Sequence, residues 1–448
     1  MTIAHQADET YRIPDHIVQA AIDPDSYLDF EGRVLPAYAW LREHNPLGRA
    51  ELAGHDPVWL VTKLADLRFI ERHTDLFTVT QDNIILDSRA SDAFMRSLTG
   101  GSSRILDAIP YLDPPEHTKV RAVAHEPFLP RNVAKLESQI RELARATVER
   151  VLATEGELDL VADLALGYPL HVIMTLLGVP EKDEPLMLRL TQEFFGAQDD
   201  ERGAGAAENP EEVGKAFIEA AMSIFGYFSE LNADRRACPR NDLVSLIANS
   251  RIDGEPIGEG YANGWYLAIA AGGHDTTAST ISSTLLALAQ RPDQLARVKA
   301  DLDLIPQLVE EGLRWTTPAK HFMRTATQDL ELRGRQIKKG DRLMLLWASG
   351  NHDEEVFDNP QAFDIGRTTK HIAFGSGAHT CVGMHLAKLE LRILFEELLP
   401  RIGGIEIVGR PQWVRTNFVG GLKRLPARLL PDVASEQSSA NGPQGAVG

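Results

Sequence analysis

Phe374-Gly375-Ser376-Gly377-Ala378-His379-Thr380-Cys381-Val382-Gly383 is the stretch on which the reading of this chain turns. An aromatic residue stands seven positions before a cysteine, two glycines lie between them, and an amphipathic segment follows over 386–399. Gly375 and Gly377 permit backbone angles and close approaches that a Cβ forbids. The spacing predicts a loop that ends at a helix N-terminus, where the helix dipole and loop N–H groups stabilise a thiolate. Such a thiolate is a soft axial ligand for iron. Two other readings of Cys381 fit the residues alone. A lone cysteine is commonly a small buried hydrophobe. It is a nucleophile where a base and an orienting group stand by, and His379 and His385 are near in sequence, but no third group is evident.

The rest of the chain narrows the class. Its 448 residues are 43% hydrophobic and 25% charged, enough for a large soluble core. A net charge of −18 argues against nucleic acid or an anionic membrane as a general partner. Cysteine occurs only at Cys238 and Cys381, too few for an iron–sulfur site or a disulfide framework. No dinucleotide or P-loop glycine fingerprint is present, so a redox enzyme of this sequence would receive its electrons from elsewhere. Residues 1–6 carry no signal-peptide pattern and no run of 18 consecutive apolar residues occurs, which predicts a cytoplasmic protein with no membrane span.

Apolar residues at helical spacing predict helices over 35–43, 131–152, 160–177, 213–231 and 294–304. Strand signals are few: 58–62, 342–347 and 405–408. The class is mainly α with a small β portion. Residues 196–209 read as a long mobile loop, and the tail 433–448 as disordered. Residues 259–291 predict one long central helix ended by Pro292. Asp275 is the sole formal charge between Tyr261 and Gln290. Ala268, Ala271, Gly272, Asp275 and Thr276 fall on one face of that helix, small residues followed by an acid and an alcohol. Gly272, Gly273 and the hydroxyls of Thr276 and Thr277 weaken and bend it.

Phe-Gly-x-Gly-x-His-x-Cys-x-Gly resembles, at each fixed position, the haem-binding signature of the cytochrome P450 family. Ala271-Gly272-Gly273-His274-Asp275-Thr276-Thr277 resembles the family's oxygen-activation segment. The likeness implies one catalytic domain over 1–432 with the family's triangular helical prism and small β region. It also implies non-covalent haem b (iron protoporphyrin IX) with Cys381 as axial ligand. Asp275 and Thr276 would then handle protons and dioxygen. His117, Arg121, Arg324 and His379 resemble the propionate ligands, while Phe374, Gly375, Gly383, Ala271 and Gly272 would surround the haem. Glu311, Arg314 and Arg367 match a buried structural cluster that braces the cysteine segment. Ala268, Ala271, Gly272, Ala319, Phe322, Phe418 and Val419 would line the substrate pocket, with unassigned residues from 82–106.

The resemblance tightens toward the bacterial group that oxidises terpineol, through Tyr168-Pro169-Leu170-His171-Val172, Phe194-Phe195-Gly196 and Thr416-Asn417-Phe418-Val419-Gly420-Gly421. It implies a monooxygenase that hydroxylates a small hydrophobic substrate, a monoterpenoid or a small aromatic or alicyclic hydrocarbon. Dioxygen is the co-substrate, and a 2Fe-2S ferredoxin with a separate reductase supplies electrons. Lys119, Arg131, Lys370 and Lys388 flank the haem motifs and would form a basic docking patch, or else scattered solvated charges. Lys119 stands where many relatives have arginine. Two rival classes stay open: a peroxide-driven or rearranging haem-thiolate enzyme, and a non-catalytic haem sensor.

Overall fold

The segment after Cys381 forms the helix Met384–Leu398. Leu386, Leu389, Ile393, Leu394 and Leu398 bury one face of it, and that face packs on Glu137–Leu152. The partner helix answers with Ile140, Ala144, Val148 and Val151, buried at three- and four-residue steps. At the rim Arg141 bridges Glu137, Glu396 and Glu397, and Arg392 bridges Glu137 and Glu396. The computed structural model describes residues 11–105, 107–196, 198–201 and 210–432. The tail expected at 433–448, residues 1–6 and most of the loop expected at 196–209 lie outside the described residues.

Helices dominate, as the periodicity predicts. The five expected segments are seen as Leu35–His44, Glu137–Leu152 with a preceding turn Pro130–Val133, Gly167–Leu177, Pro210–Ala237 and Pro292–Ala300. A five-stranded sheet runs in the order Leu47–Ala50, Val58–Val61, Arg342–Leu346, His321–Ala326 and Phe77–Thr78. Its Val58–Val61/Arg342–Leu346 pair is parallel and the others antiparallel. A second sheet joins Ile402–Ile407, Pro426–Pro431 and Leu158–Asp159.

One expectation is corrected. The central helix is not continuous over 259–291: it is Glu259–Gly272 followed by Asp275–Gln290, with Gly273 and His274 between them. Gly272 and Gly273 each cost a helix about 1 kcal/mol relative to alanine, and Gly273 is wedged against Ile269 O and the Ile173 side chain. Hydroxyls then take up the loosened carbonyls: Thr276 Oγ1 donates to Gly272 O at 2.9 Å and Thr277 Oγ1 to Gly273 O at 3.5 Å. The second half ends at Gln290 with Arg291 out of the helical region, as expected of the residue before Pro292, and Pro292 then takes the first position of the next helix, where its missing N–H costs nothing. Leu160–Leu177 is long and apolar enough to cross a bilayer, although polar residues keep it from being a run of 18 consecutive apolar ones. It is 61% buried within the fold, a share suited to a core helix.

Candidate active site

The cysteine loop is closed by its own backbone. Cys381 N–H donates to Phe374 O at 2.9 Å and Gly375 N–H to Ile372 O at 2.8 Å. Gly375 and Gly377 have φ of +67° and +69°, the left-handed region that an L side chain resists. A Cβ at Gly377 would also collide with Glu71 O, so the loop lies flush on the helix Leu64–Arg72. Cys381 precedes the N-cap Gly383 of Met384–Leu398. Burial pushes the Cys381 thiol up. The N–H groups of Gly383 and Met384 and the Arg121 guanidinium pull the other way, toward the thiolate. The surface that Cys381 exposes is the wall of an internal cavity.

Behind the loop lies the cluster expected at Glu311, Arg314 and Arg367. Arg314 donates to both Glu311 carboxylate oxygens at 2.7 Å, and Arg367 Nε reaches Oε1 at 3.3 Å. The remaining guanidinium protons go to carbonyls: Arg314 to Asn351, Pro360 and Ala362, and Arg367 to Asp358, Asn359 and Ala362. Asn351 carries the brace forward, accepting from Ile372 N–H at 2.8 Å and donating to Thr317 Oγ1 at 2.8 Å.

The cavity holds about 800 Å³. Cys381, Phe374 and Gly383 line one side. Ala268, Ala271, Gly272 and Thr276 from the broken helix line it too, with Ala319, Phe322, Phe418 and Val419. The unassigned stretch 82–106 contributes Ile84, Leu86 and Met95 among others. Asp275 is not on the lining; it is buried, its Oδ2 3.6 Å from His274 Nδ1. His274 Nε2 is 3.0 Å from Leu166 O and therefore donates to it.

Arg121, Arg324 and His379 line the same cavity. His117 stands behind His379, ring centroids 4.5 Å apart. The Nε2 atoms of both histidines are buried with no hydrogen-bond partner among the described residues. Burial first, then nearby guanidinium groups, pulls His117 down to about 4 and His379 to about 2. Arg121 donates to Thr380 O at 2.8 Å and Arg324 to Met323 O at 2.8 Å. This is a buried, positively charged corner with unspent donors, the environment an anionic group requires.

Comparison with known proteins decides the family. A family model described as Cytochrome P450 matches residues 100–402. The chain belongs to the cytochrome P450 family. It is 48% identical over 425 residues to cytochrome P450-terp of a Pseudomonas species, covering 94% of this chain and 99% of that one. It is 34% identical to linalool 8-monooxygenase of Pseudomonas putida, over 80% of this chain and 89% of that protein. The crystal structure of CYP108D1 from Novosphingobium aromaticivorans superposes with a TM-score of 0.86 at 38% identity, covering 94% of this chain and all of that one. This cytochrome P450 is thus a monooxygenase, and its cofactor is haem b, held through a cysteine thiolate.

The residues present fit that cofactor: a cysteine under the cavity floor, small residues facing it, and orphaned histidine nitrogens beside two arginines where propionates need cations. When bound, haem supplies dioxygen activation. Three residues of the site escaped the sequence reading. Glu71 is buried beside the loop and accepts from Ser376 Oγ at 2.9 Å. Burial, opposed by Arg324 and Ser376, lifts its carboxyl to about 7. Glu390, on the cysteine helix, also lines the cavity, and burial pushes its carboxyl well above the usual range. Asn351 is the third. Glu71 and Asn351 are brought in from distant segments; Glu390 is on the cysteine helix itself, but no spacing sets it apart from the other residues of that helix.

The expected basic patch is largely neutralised within the molecule. Lys119 pairs with Asp253 at 2.5 Å, Arg131 with Glu126 at 3.0 Å and Lys388 with Glu310 at 2.6 Å. Of the four cations, Lys370 alone has no ion pair among the described residues.

Proposed function

We propose that residues 1–432 form one catalytic unit that hydroxylates a monoterpenoid alcohol such as terpineol in the cytoplasm, using dioxygen and electrons from a 2Fe-2S ferredoxin served by a separate reductase. Cys381 is the axial ligand in this reading. His117, Arg121, Arg324 and His379 hold the propionates, and Glu311, Arg314 and Arg367 brace the cysteine loop. The observation that carries the reading is the meeting of Cys381, the cationic corner and Thr276 on the walls of one cavity.

The substrate class follows from the other walls. Beside Thr276 they are small aliphatic and aromatic, from Ala268, Ala271, Ala319, Phe322, Phe418 and Val419, while Asn83, Asp87, Asp199, Arg415 and Asn417 give the lining a polar part; the hydroxyls of Thr276 and Thr280 turn back onto their own helix. Haem shares the cavity's roughly 800 Å³, so the substrate is confined to a fraction of it. Small aromatic and alicyclic hydrocarbons satisfy the same walls. The relatives P450-terp and linalool 8-monooxygenase favour a terpenoid.

Thr276 Oγ1 spends its proton on Gly272 O and has lone pairs left to accept from a molecule in the cavity. Asp275 is buried behind that wall and is the acid that this reading assigns to the proton relay.

The test is an optical titration of the ferric protein with terpineol, linalool and small aromatics, followed by turnover with ferredoxin, its reductase and NADH. A low- to high-spin change and a hydroxylated product with the terpenols are expected. Thr276→Ala should keep substrate binding but divert reducing equivalents to peroxide; unchanged coupling would remove Thr276 from the relay. Product formation with hydrogen peroxide and none with ferredoxin would replace the reading with a peroxide-driven enzyme. Haem binding with no NADH consumption under any ligand would replace it with a sensor.

A further inference from the structure

His321 is completely buried at the start of the strand His321–Ala326. Its ring reaches two other segments of the chain. Nε2 accepts from Leu86 N–H at 3.1 Å, and Nδ1 lies 2.9 Å from Asn417 O. These partners fix the tautomer. A carbonyl only accepts, so Nδ1 carries the proton; an amide N–H only donates, so Nε2 carries the lone pair. Asn417 in turn donates from Nδ2 to Ile22 O at 2.7 Å. Leu86, Asn417 and Ile22 all line the cavity.

We propose that His321 is a positioning residue that sets the width of the substrate chamber, by tying the 84–86 segment to the 417–419 loop across the strand that carries Phe322. The neighbouring geometry supports this. The Phe418 ring packs on His321 with centroids 5.5 Å apart and edge-on to Phe322 at 5.4 Å. Backbone bonds join the strand region to each wall separately, Met323 N–H to Ile84 O and Lys320 N–H to Phe418 O, both at 2.8 Å. The His321 ring engages both walls with one rigid side chain. A movement of either wall relative to the other costs one of its bonds and leaves a buried backbone group unpaired. Burial holds the ring down to about 4, so it is neutral at ordinary working pH, as the donor–acceptor pattern requires.

The inference about substrate rests on the proposed terpenoid reading; the inference about the tie does not. His321→Phe keeps an aromatic ring and loses both bonds. His321→Gln supplies one N–H donor and one carbonyl acceptor. Deuterium exchange read by mass spectrometry should show backbone amides at 84–86 and 417–419 exchanging about tenfold faster in H321F than in the native holoenzyme, and within about threefold of native in H321Q. In the spin-state titration H321F should bind terpineol about tenfold more weakly and release a broader set of hydroxylated products, with H321Q near native. The reduced carbon-monoxide spectrum, unchanged in both variants, verifies that the haem site is intact.

Native-like exchange and native products in H321F would overturn the proposal. Equal loss in H321F and H321Q would also overturn it, because the ring would then matter only as packing. If no terpenoid perturbs the native spectrum, the substrate reading fails while the exchange comparison still decides the tie. If H321F does not fold, slow exchange and a single native product in H321Q support the tie, and fast exchange in H321Q refutes it.

Discussion

The two sides of the cavity are built by contrary means. On the cysteine side Glu311, Arg314, Arg367 and Asn351 are bonded to one another, to Thr317 and to backbone groups of Asp358, Asn359, Pro360, Ala362, Asp364 and Ile372 ahead of Cys381, and their charges are buried with their partners. On the opposite side the helix is interrupted at Gly273 and His274, and threonine hydroxyls patch the loosened carbonyls. In the proposed reading one wall fixes a ligand atom in place, and the other leaves room and holds exchangeable protons beside it. A rigid floor and an adjustable roof answer different demands: metal ligation tolerates little displacement, whereas proton delivery needs hydroxyls that can rotate.

Breaking the rigid side should have the largest consequence. Glu311→Ala strands two guanidinium groups in the interior, and removing one partner of a buried pair costs about 3–5 kcal/mol. Urea unfolding should show that loss, and haem content should fall with it. A loss below about 1 kcal/mol would mean the brace is not what holds the loop.

Next in size is an exception within the same region. Lys320 Nζ is buried, donates to Thr316 O at 2.6 Å and lies 4.3 Å over the Phe30 ring, with no carboxylate partner among the described residues. Burial lowers its ammonium from 10.5 to about 7. The unfolded chain therefore binds the extra proton between those values, and stability rises with pH from about 7 toward 10.5, by an amount on the order of a few kcal/mol. Lys320→Met should flatten that rise relative to the native protein. Parallel pH profiles in the two proteins would contradict it.

The adjustable wall can be sharpened with two neighbouring substitutions of opposite sign. Gly273→Ala puts a Cβ 2.8 Å from Ile269 O and 2.9 Å from Ile173 Cγ1, an overpacking that costs about 1–3 kcal/mol. Gly272→Ala meets nothing within 4 Å and should gain up to about 1 kcal/mol of helix stability. Thermal melts of the pair check this, and equal shifts would mean the break is not set by the packing of Gly273. Smallest of all, Thr276→Ala should change stability by less than about 1 kcal/mol, since its hydroxyl only back-bonds its own helix.

What the sequence revealed tracks how local each feature is. The Gly375 and Gly377 turns, the Glu311–Arg314 pair at i and i+3 and the faces of the main helices are set within a few residues, and all were legible. The pocket residues Ala319, Phe322, Phe418 and Val419 were placed by family resemblance, and the structure brings them to one cavity. Glu71, Asn351 and His321 were not legible, because their partners lie far away in sequence, and Glu390 was not, because it looks like any other charge on an amphipathic helix until the cavity beside it is seen. The long central helix was misread because its apolar pattern continues through Gly273, while the cost that breaks it comes from Ile173, a hundred residues upstream. The choice between a basic patch and scattered charges stayed open for a related reason: Asp253, Glu126 and Glu310 pair with three of the four cations, and only Glu126 is near in sequence to its partner.

The most direct test of the account is the reduced carbon-monoxide spectrum of the native protein beside that of Cys381→Ser. The strongly red-shifted haem-thiolate band in the native protein, absent from the variant, is the result expected if Cys381 is the axial ligand. A native spectrum without that band, or a variant that keeps it, would show that the ligand is not the Cys381 thiolate.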